Sequence, residues 1–290
     1  MKIFQLSDLH LEFGPLDAKL PTGEVVILGG DITLLGALDP ESPYYHDGRG
    51  VRERTMAFVE QCKTNFERVF YLIGNHESYN YSLTLAPGII RRKLPMVTLL
   101  DDTAVDLGSG VILAGGTLWT DMNEGKAAWA VGRGMNDFRC ISIEDKSGDN
   151  RIFTPQDAME RFARTKRFLA RTAKKHPDET IVVATHHAPD KRGINKEHVD
   201  DRYGINHGYF TDMTAFIAEH PNIKWWSHGH THIQTAYKIG QCQVISNARG
   251  YINREHSADT FSPDCWFDPV TGKMRKPGRS SSVRARVLAE

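Results

Sequence analysis

Ile3-Phe4-Gln5-Leu6-Ser7-Asp8-Leu9-His10 opens the chain with a short apolar run that ends on two potential metal ligands two residues apart. The pattern recurs. Val25 to Leu28 runs into Gly29-Gly30-Asp31, Val69 to Ile73 into Gly74-Asn75-His76-Glu77, and Ile181 to Ala184 into Thr185-His186-His187. Lys224 to Trp226 leads to His228-Gly229-His230-Thr231-His232, and Val111 to Ala114 and Gln243 to Ile245 are two more runs of the same kind. Short apolar runs bounded by Gly and polar residues read as buried strands, so each tag falls at a strand-to-loop junction.

Between the strands lie helical patterns over Arg52 to Phe66, Pro155 to Lys175 and Thr211 to His220. In the second, Pro155 takes a first-turn position behind Thr154 as N-cap, and Met159, Phe162, Ala163, Phe168 and Leu169 supply an apolar face. Alternating strands and helices predict an α/β fold. Gly36 to Gly50 and Trp119 to Phe153 fit the alternation poorly and read either as lids or walls of a substrate site or as disordered insertions. The segment from Pro277 onward, with Gly278-Arg279-Ser280-Ser281-Ser282, is expected to be a mobile tail. There is no internal repeat.

The 290 residues suffice for one large α/β core, or for one core with an appendage. The 36 basic and 36 acidic side chains cancel, which removes any global field that would mark a nucleic-acid or membrane binder. Cys62, Cys140, Cys242 and Cys265 are scattered, as free thiols of a reducing compartment are. Met1 runs straight into a strand, and no apolar stretch approaches the span of a bilayer. The expectation is a cytoplasmic protein without a membrane segment.

Taken singly, the tags have ordinary readings. An Asp and a His two apart can make turn hydrogen bonds, Gly-Gly-Asp is a common turn, and Asn75 with Glu77 could cap a helix. Three imidazoles between His228 and His232 have little structural use, and the tags together offer Asp8, His10, Asp31, Asn75, His186, His230 and His232. Mixed oxygen and nitrogen donors suit manganese, iron, zinc, nickel or cobalt better than magnesium or calcium. Seven side chains exceed the needs of one ion, but serve two if a carboxylate bridges, and Asp31, alone at its strand end, is the choice for the bridge. Two divalent cations bring four positive charges, of which Asp8 and Asp31 return two. Even with a bridging hydroxide a net positive charge remains, which suits hydrolysis of an anionic phosphoester.

The ordered set D-x-H, G-D, G-N-H-E, H and G-H-x-H, over residues 8 to 232, resembles the calcineurin-like metallophosphoesterase superfamily. The resemblance implies a four-layer αββα sandwich, two mixed β-sheets flanked by helices, over residues 1 to 276, with a dinuclear site at the strand C-terminal ends. It assigns Asp8, His10 and His232 to one metal, Asn75, His186 and His230 to the other, and Asp31 to both. His76 matches the histidine that stabilises the transition state or protonates the leaving oxygen, so His76, Asp31 and Asn75 form the expected catalytic set. Protein Ser/Thr phosphatases carry an Asp three residues after the bridging one to orient this histidine, and arginines nearby. Here Leu34, Leu35 and Ile73 stand in those places, which leaves His76 without its usual partner and the phosphoprotein clamp missing.

Gly116 to Asp121, Met135 to Arg139 and Asn247 to Tyr251 resemble the generic bacterial branch. From them Trp119, Asp137, Arg139 and Asn247 are expected either to line the pocket, Arg139 as a bidentate phosphate ligand and Trp119 as a wall for a ring, or to serve packing and loop closure. The expected function is hydrolysis of a small-molecule or nucleotide-type phosphoester, mono- or diester, by a metal-bridging hydroxide, with manganese as the first expectation for the two divalent ions. The alternatives are a DNA or RNA nuclease of the superfamily and a non-catalytic scaffold on the same fold. A zinc peptidase or a β-lactamase-fold nuclease would need H-E-x-x-H or H-x-H-x-D-H, and neither occurs. Substrate identity and oligomeric state are not legible.

Overall fold

The computed structural model describes residues 1–277 apart from 46, 47, 146 and 200. Of the tail expected from Pro277 onward, all but Pro277 itself therefore lies outside the described residues. Two six-stranded sheets carry the fold. The first runs, in spatial order, Met274–Arg275, Trp266–Phe267, Ile3–Leu6, Gly23–Leu28, Phe66–Leu72 and Thr98–Leu100. Its last four strands are parallel, and the hairpin at the other edge is antiparallel. The second runs Gln234–Ile239, Cys242–Asn247, Ile223–His228, Thr180–Thr185, Val111–Gly116 and Thr103–Gly108, parallel inside and antiparallel at both edges.

The strands are apolar on both faces, and the two faces belong to different cores. Ile3, Val25, Ile27, Phe70 and Leu72 meet Val111, Leu113, Val182, Ala184, Trp225 and Ile245 between the sheets. Their sequence neighbours Phe4, Val26, Val69, Tyr71, Ile112, Ile181, Val183, Trp226 and Val244 join the outer core, with the helix residues Phe58, Val59, Phe162, Leu169, Phe216 and Ile217. This period-two division, inherent in a strand, produces the four αββα layers. The helix Val51–Asn65 packs on Phe66–Leu72, and the helix Pro155–Lys175 on Val111–Gly116.

Pro155–Lys175 starts and stops where its sequence pattern does. Thr154 accepts from the Asp157 N–H, and the Asp157 carboxylate accepts from the Thr154 N–H, a reciprocal cap. Thr211–His220 shortens to the helix Thr214–Glu219, because the Thr211 N–H donates to the Ala188 carbonyl at 3.2 Å and the Asp212 carboxylate accepts the Thr214 N–H at 2.9 Å. The segment Trp119 to Phe153 is not an open connection. It folds into the helices Ala128–Gly134 and Asp137–Cys140 and the strands Ile141–Glu144 and Asn150–Ile152, which pair with Tyr81–Ser82 in a small third sheet. Among the described residues no helix is long and apolar enough to cross a membrane.

Candidate metal centre

The parallel strands of both sheets end on the same side, and the side chains just beyond them converge. Asp8 and His10 follow Ile3–Leu6, Asp31 follows Gly23–Leu28, Asn75 follows Phe66–Leu72, His186 follows Thr180–Thr185, and His230 and His232 follow Ile223–His228. Asp8, His10, Asp31 and His232 form one group whose ligand atoms lie within 4.8 Å of one another, and Asp31, His186 and His230 form another. Asp31 is common to both. Its Oδ2 lies 3.9 Å from His10 Nε2 and its Oδ1 3.4 Å from His186 Nε2. Asn75 Oδ1 stands 3.0 Å from His186 Nε2, which adds the amide to the second group.

Backbone conformation helps to aim these groups. Asp8, His10, Asp31, His230 and His232 all have positive φ, between 46° and 67°. For residues other than Gly this region costs on the order of 1 kcal/mol or more each, and such strain is concentrated at functional sites. The close packing also explains two glycines. A Cβ on Gly30 would sit 2.5 Å from His186 Nδ1, and one on Gly74 would strike the Asp31 carboxylate.

The histidines are turned so that one nitrogen is held from behind. His10 Nδ1 bonds Glu12 Oε1 at 3.0 Å, His186 Nδ1 the Gly29 carbonyl at 2.9 Å, and His232 Nδ1 Glu255 Oε2 at 2.7 Å. A proton fixed on Nδ1 leaves the Nε2 lone pair facing the centre. His10 Nε2 and His232 Nε2 face each other at 3.0 Å, and His230 Nε2 is buried without a hydrogen-bond partner. Converging lone pairs and an orphaned buried nitrogen are what a cation would satisfy, so the residues present fit a pair of divalent ions.

The buried charges of the centre act strongly on one another. Burial would raise the Asp31 carboxyl, but His186, His76 and His10 outweigh it and hold it well below its ordinary value. Burial would lower His186, and the Asp31 charge pushes it up to about 10 instead. His230 is held well below its ordinary value by burial, with His187 and His186 beside it. His187 packs against the His230 ring at 4.2 Å and is pushed down to about 3 by burial, so it stays neutral.

His76 sits beside the centre rather than in either group around Asp31. Its backbone N–H donates to Asp31 Oδ1 at 2.8 Å, its Nδ1 meets Glu12 Oε1 at 3.0 Å, and its Nε2 lies 3.2 Å from the Tyr251 hydroxyl. Burial opposes its charge, but Asp31 and Glu12 push it up to about 9. The Tyr79 ring stacks on it at 4.1 Å.

A cleft of about 640 Å³ opens over Asp31, Asn75, His76, His230 and His232. Tyr79, Tyr209 and Tyr251 wall it, Met135 and Asn136 close one side, and Glu255 faces in. Among the described residues that line it there is no lysine or arginine.

The four residues expected to line the pocket are placed otherwise. Asp137 is buried behind Asn75, accepting from Asn75 Nδ2 and the Tyr79 hydroxyl, both at 2.8 Å. Trp119 is buried against Phe153 and His187. Asn247 is fully buried and donates to the Gln5 and Ser262 carbonyls, closing the seam between the sheets. Arg139 donates to the Arg133 carbonyl and to Asn136 Oδ1, which lets it support a cleft wall without facing the cleft. Sequence reasoning passed over Glu12, Tyr79, Tyr251 and Glu255. Glu12 carried a signal, the continued alternation of Asp8, His10 and Glu12 with two leucines between, and Tyr251 ends the segment Asn247 to Tyr251 that the resemblance singles out.

The family described as calcineurin-like phosphoesterase matches residues 1–234. Uncharacterized protein L509 of Acanthamoeba polyphaga mimivirus is 23% identical over 286 residues, covering 91% of this chain and 95% of that protein. Among solved structures, the phosphopantetheinyl hydrolase PptH from Mycobacterium tuberculosis superposes with a TM-score of 0.53 at 14% identity, covering 88% of this chain and 93% of that one. At that identity the likeness is one of fold.

Proposed function

From the premise that the chain belongs to the calcineurin-like phosphoesterase family, and is therefore a metal-dependent phosphoester hydrolase, we propose that its substrate is a small phosphodiester with an aromatic or nucleoside-type group. The observation that carries the reading is the position of Asp31, shared by two ligand groups on the floor of a cleft with aromatic walls.

Asp8, His10 and His232 would hold one divalent ion, Asn75, His186 and His230 the other, and Asp31 both. Manganese is the proposed occupant, since the donors mix oxygen and nitrogen without thiolate. When bound, such a pair supplies the charge that activates water and neutralises a phosphoryl group. The chain itself supplies the rest. Its cleft has no lysine or arginine among the described lining residues to meet further negative charge, and Glu255 would repel it. A phosphodiester monoanion suits such a site better than a monoester dianion or a polyphosphate. Tyr79, Tyr209 and Tyr251 offer flat surfaces for the ester groups. His76 faces the cleft wall through Nε2, from which it can give a proton to the departing oxygen.

The test is a comparison of bis(p-nitrophenyl) phosphate with p-nitrophenyl phosphate under manganese, nickel, cobalt and zinc. The proposal expects the diester to have the larger kcat/KM. A larger value for the monoester would overturn the substrate class, and folded, metal-loaded protein that turned over neither would contradict the reading as a whole.

A further inference from the structure

Leu34 is buried and begins a 3-10 turn, so the place from which an aspartate would hold the catalytic histidine offers nothing to His76. Glu12 offers it instead. One oxygen, Oε1, lies 3.0 Å from His76 Nδ1 and 3.0 Å from His10 Nδ1, and the two rings meet edge to face at 4.5 Å. The Glu12 side chain is 3% exposed, and its other oxygen is buried without a hydrogen-bond partner. Burying a carboxylate this incompletely satisfied is costly, which argues for a task beyond stability. Its place is also built. Leu9 and Leu11 on either side of His10 are fully buried, and Arg54 grips the backbone by donating to the Leu11 and Glu12 carbonyls at 2.7 and 3.3 Å.

We propose that Glu12 is the positioning residue of this active site, holding the metal ligand His10 and the proton donor His76 through one shared oxygen. It rests on the reading of His76 given above. With Nδ1–H of each ring directed at Glu12, Nε2 of His10 faces the ion site and Nε2 of His76 faces the cleft. In hydrolysis, water adds to phosphorus, the P–O bond to the leaving group breaks with its electron pair on that oxygen, and the oxygen takes the Nε2 proton of His76. The proton given up by water restores it. Glu12 keeps the ring at the angle this exchange needs.

The test is Glu12→Gln at saturating manganese, so that a weaker grip of His10 on its ion does not enter, on aryl phosphodiesters whose leaving groups run from p-nitrophenol to phenol. Turnover is expected to fall about tenfold with p-nitrophenol and about 10²-fold or more with phenol, because the poorer leaving group depends more on the proton. His76→Ala should show the same slope, and the double variant should be no worse than His76→Ala alone. In the zinc-loaded protein, the Nδ1 protons of His10 and His76 should both move upfield in the proton NMR spectrum of Glu12→Gln. An equal loss across the series, independent multiplication of the two losses, or an unmoved His76 proton would overturn the proposal. If the native protein hydrolysed no ester, the proposed function would fail, and the ring-proton shifts alone would decide the role of Glu12.

Discussion

The Glu77 carboxylate accepts the backbone N–H of Asp31 at 2.8 Å, tying the turn that presents the shared carboxylate to the turn that presents Asn75 and His76. It also accepts from the N–H groups of Ile32 and Gly74 and from the Tyr71 hydroxyl. Glu77→Ala would leave these donors without an acceptor inside the core. We expect a loss of about 3–5 kcal/mol in urea unfolding, together with reduced metal content. A loss below about 1 kcal/mol would show that water replaces the carboxylate.

Ligand and proton donor should separate by variant. His76→Ala is expected to lower turnover by about 10²-fold or more while metal content stays near native, whereas Asp31→Asn should lose both. Elemental analysis beside kinetics checks the division. An emptied site in His76→Ala would place that histidine among the ligands.

Asp137 and Tyr79 clamp the Asn75 amide from behind, so Asp137→Ala should act on one ion only. Calorimetric titration with manganese is expected to show affinity at the second site weakened by about 10–100-fold, with the first site unchanged. Equal weakening of both sites would mean that the loss is general.

Much of this was legible because strand ends are marked by composition. The tags at Asp8, Asp31, Asn75, His186 and His230 all stand just past buried apolar runs, and the fold brings those ends to one side. The edge strands were less legible. Thr103–Gly108 and Gln234–Ile239 are half exposed and carry polar residues, so no apolar run announces them. Trp119, Asp137 and Asn247 are conspicuous residue types in conspicuous segments, yet each is buried to satisfy a neighbour, and composition does not say which way a side chain faces. Glu12 carried only the faint signal of its alternation with Asp8 and His10. Its function depends on His76, 64 residues away, and only the packed structure brings them together.

A site outside the cleft lining offers an independent check on how the chain is held. Burial raises the Asp157 carboxyl, but hydrogen bonds from Arg151 and Thr154 prevail and hold it at about 2, below its ordinary 3.8. A depressed carboxyl stabilises the fold above its unfolded value, and the contribution disappears as pH falls toward about 2. Asp157→Asn should therefore cost about 1 kcal/mol at pH 7, after allowance for solvent screening, and less at pH 3. Thermal unfolding of both proteins across that range checks the sign. A difference that grew on acidification would refute the assignment.

The most direct measurement is a crystal grown with excess manganese and read by anomalous scattering. Two peaks about 3.5–4 Å apart are predicted, with Asp31 touching both, His10 and His232 on one, and Asn75, His186 and His230 on the other. A single peak, or density away from Asp31, would contradict the account.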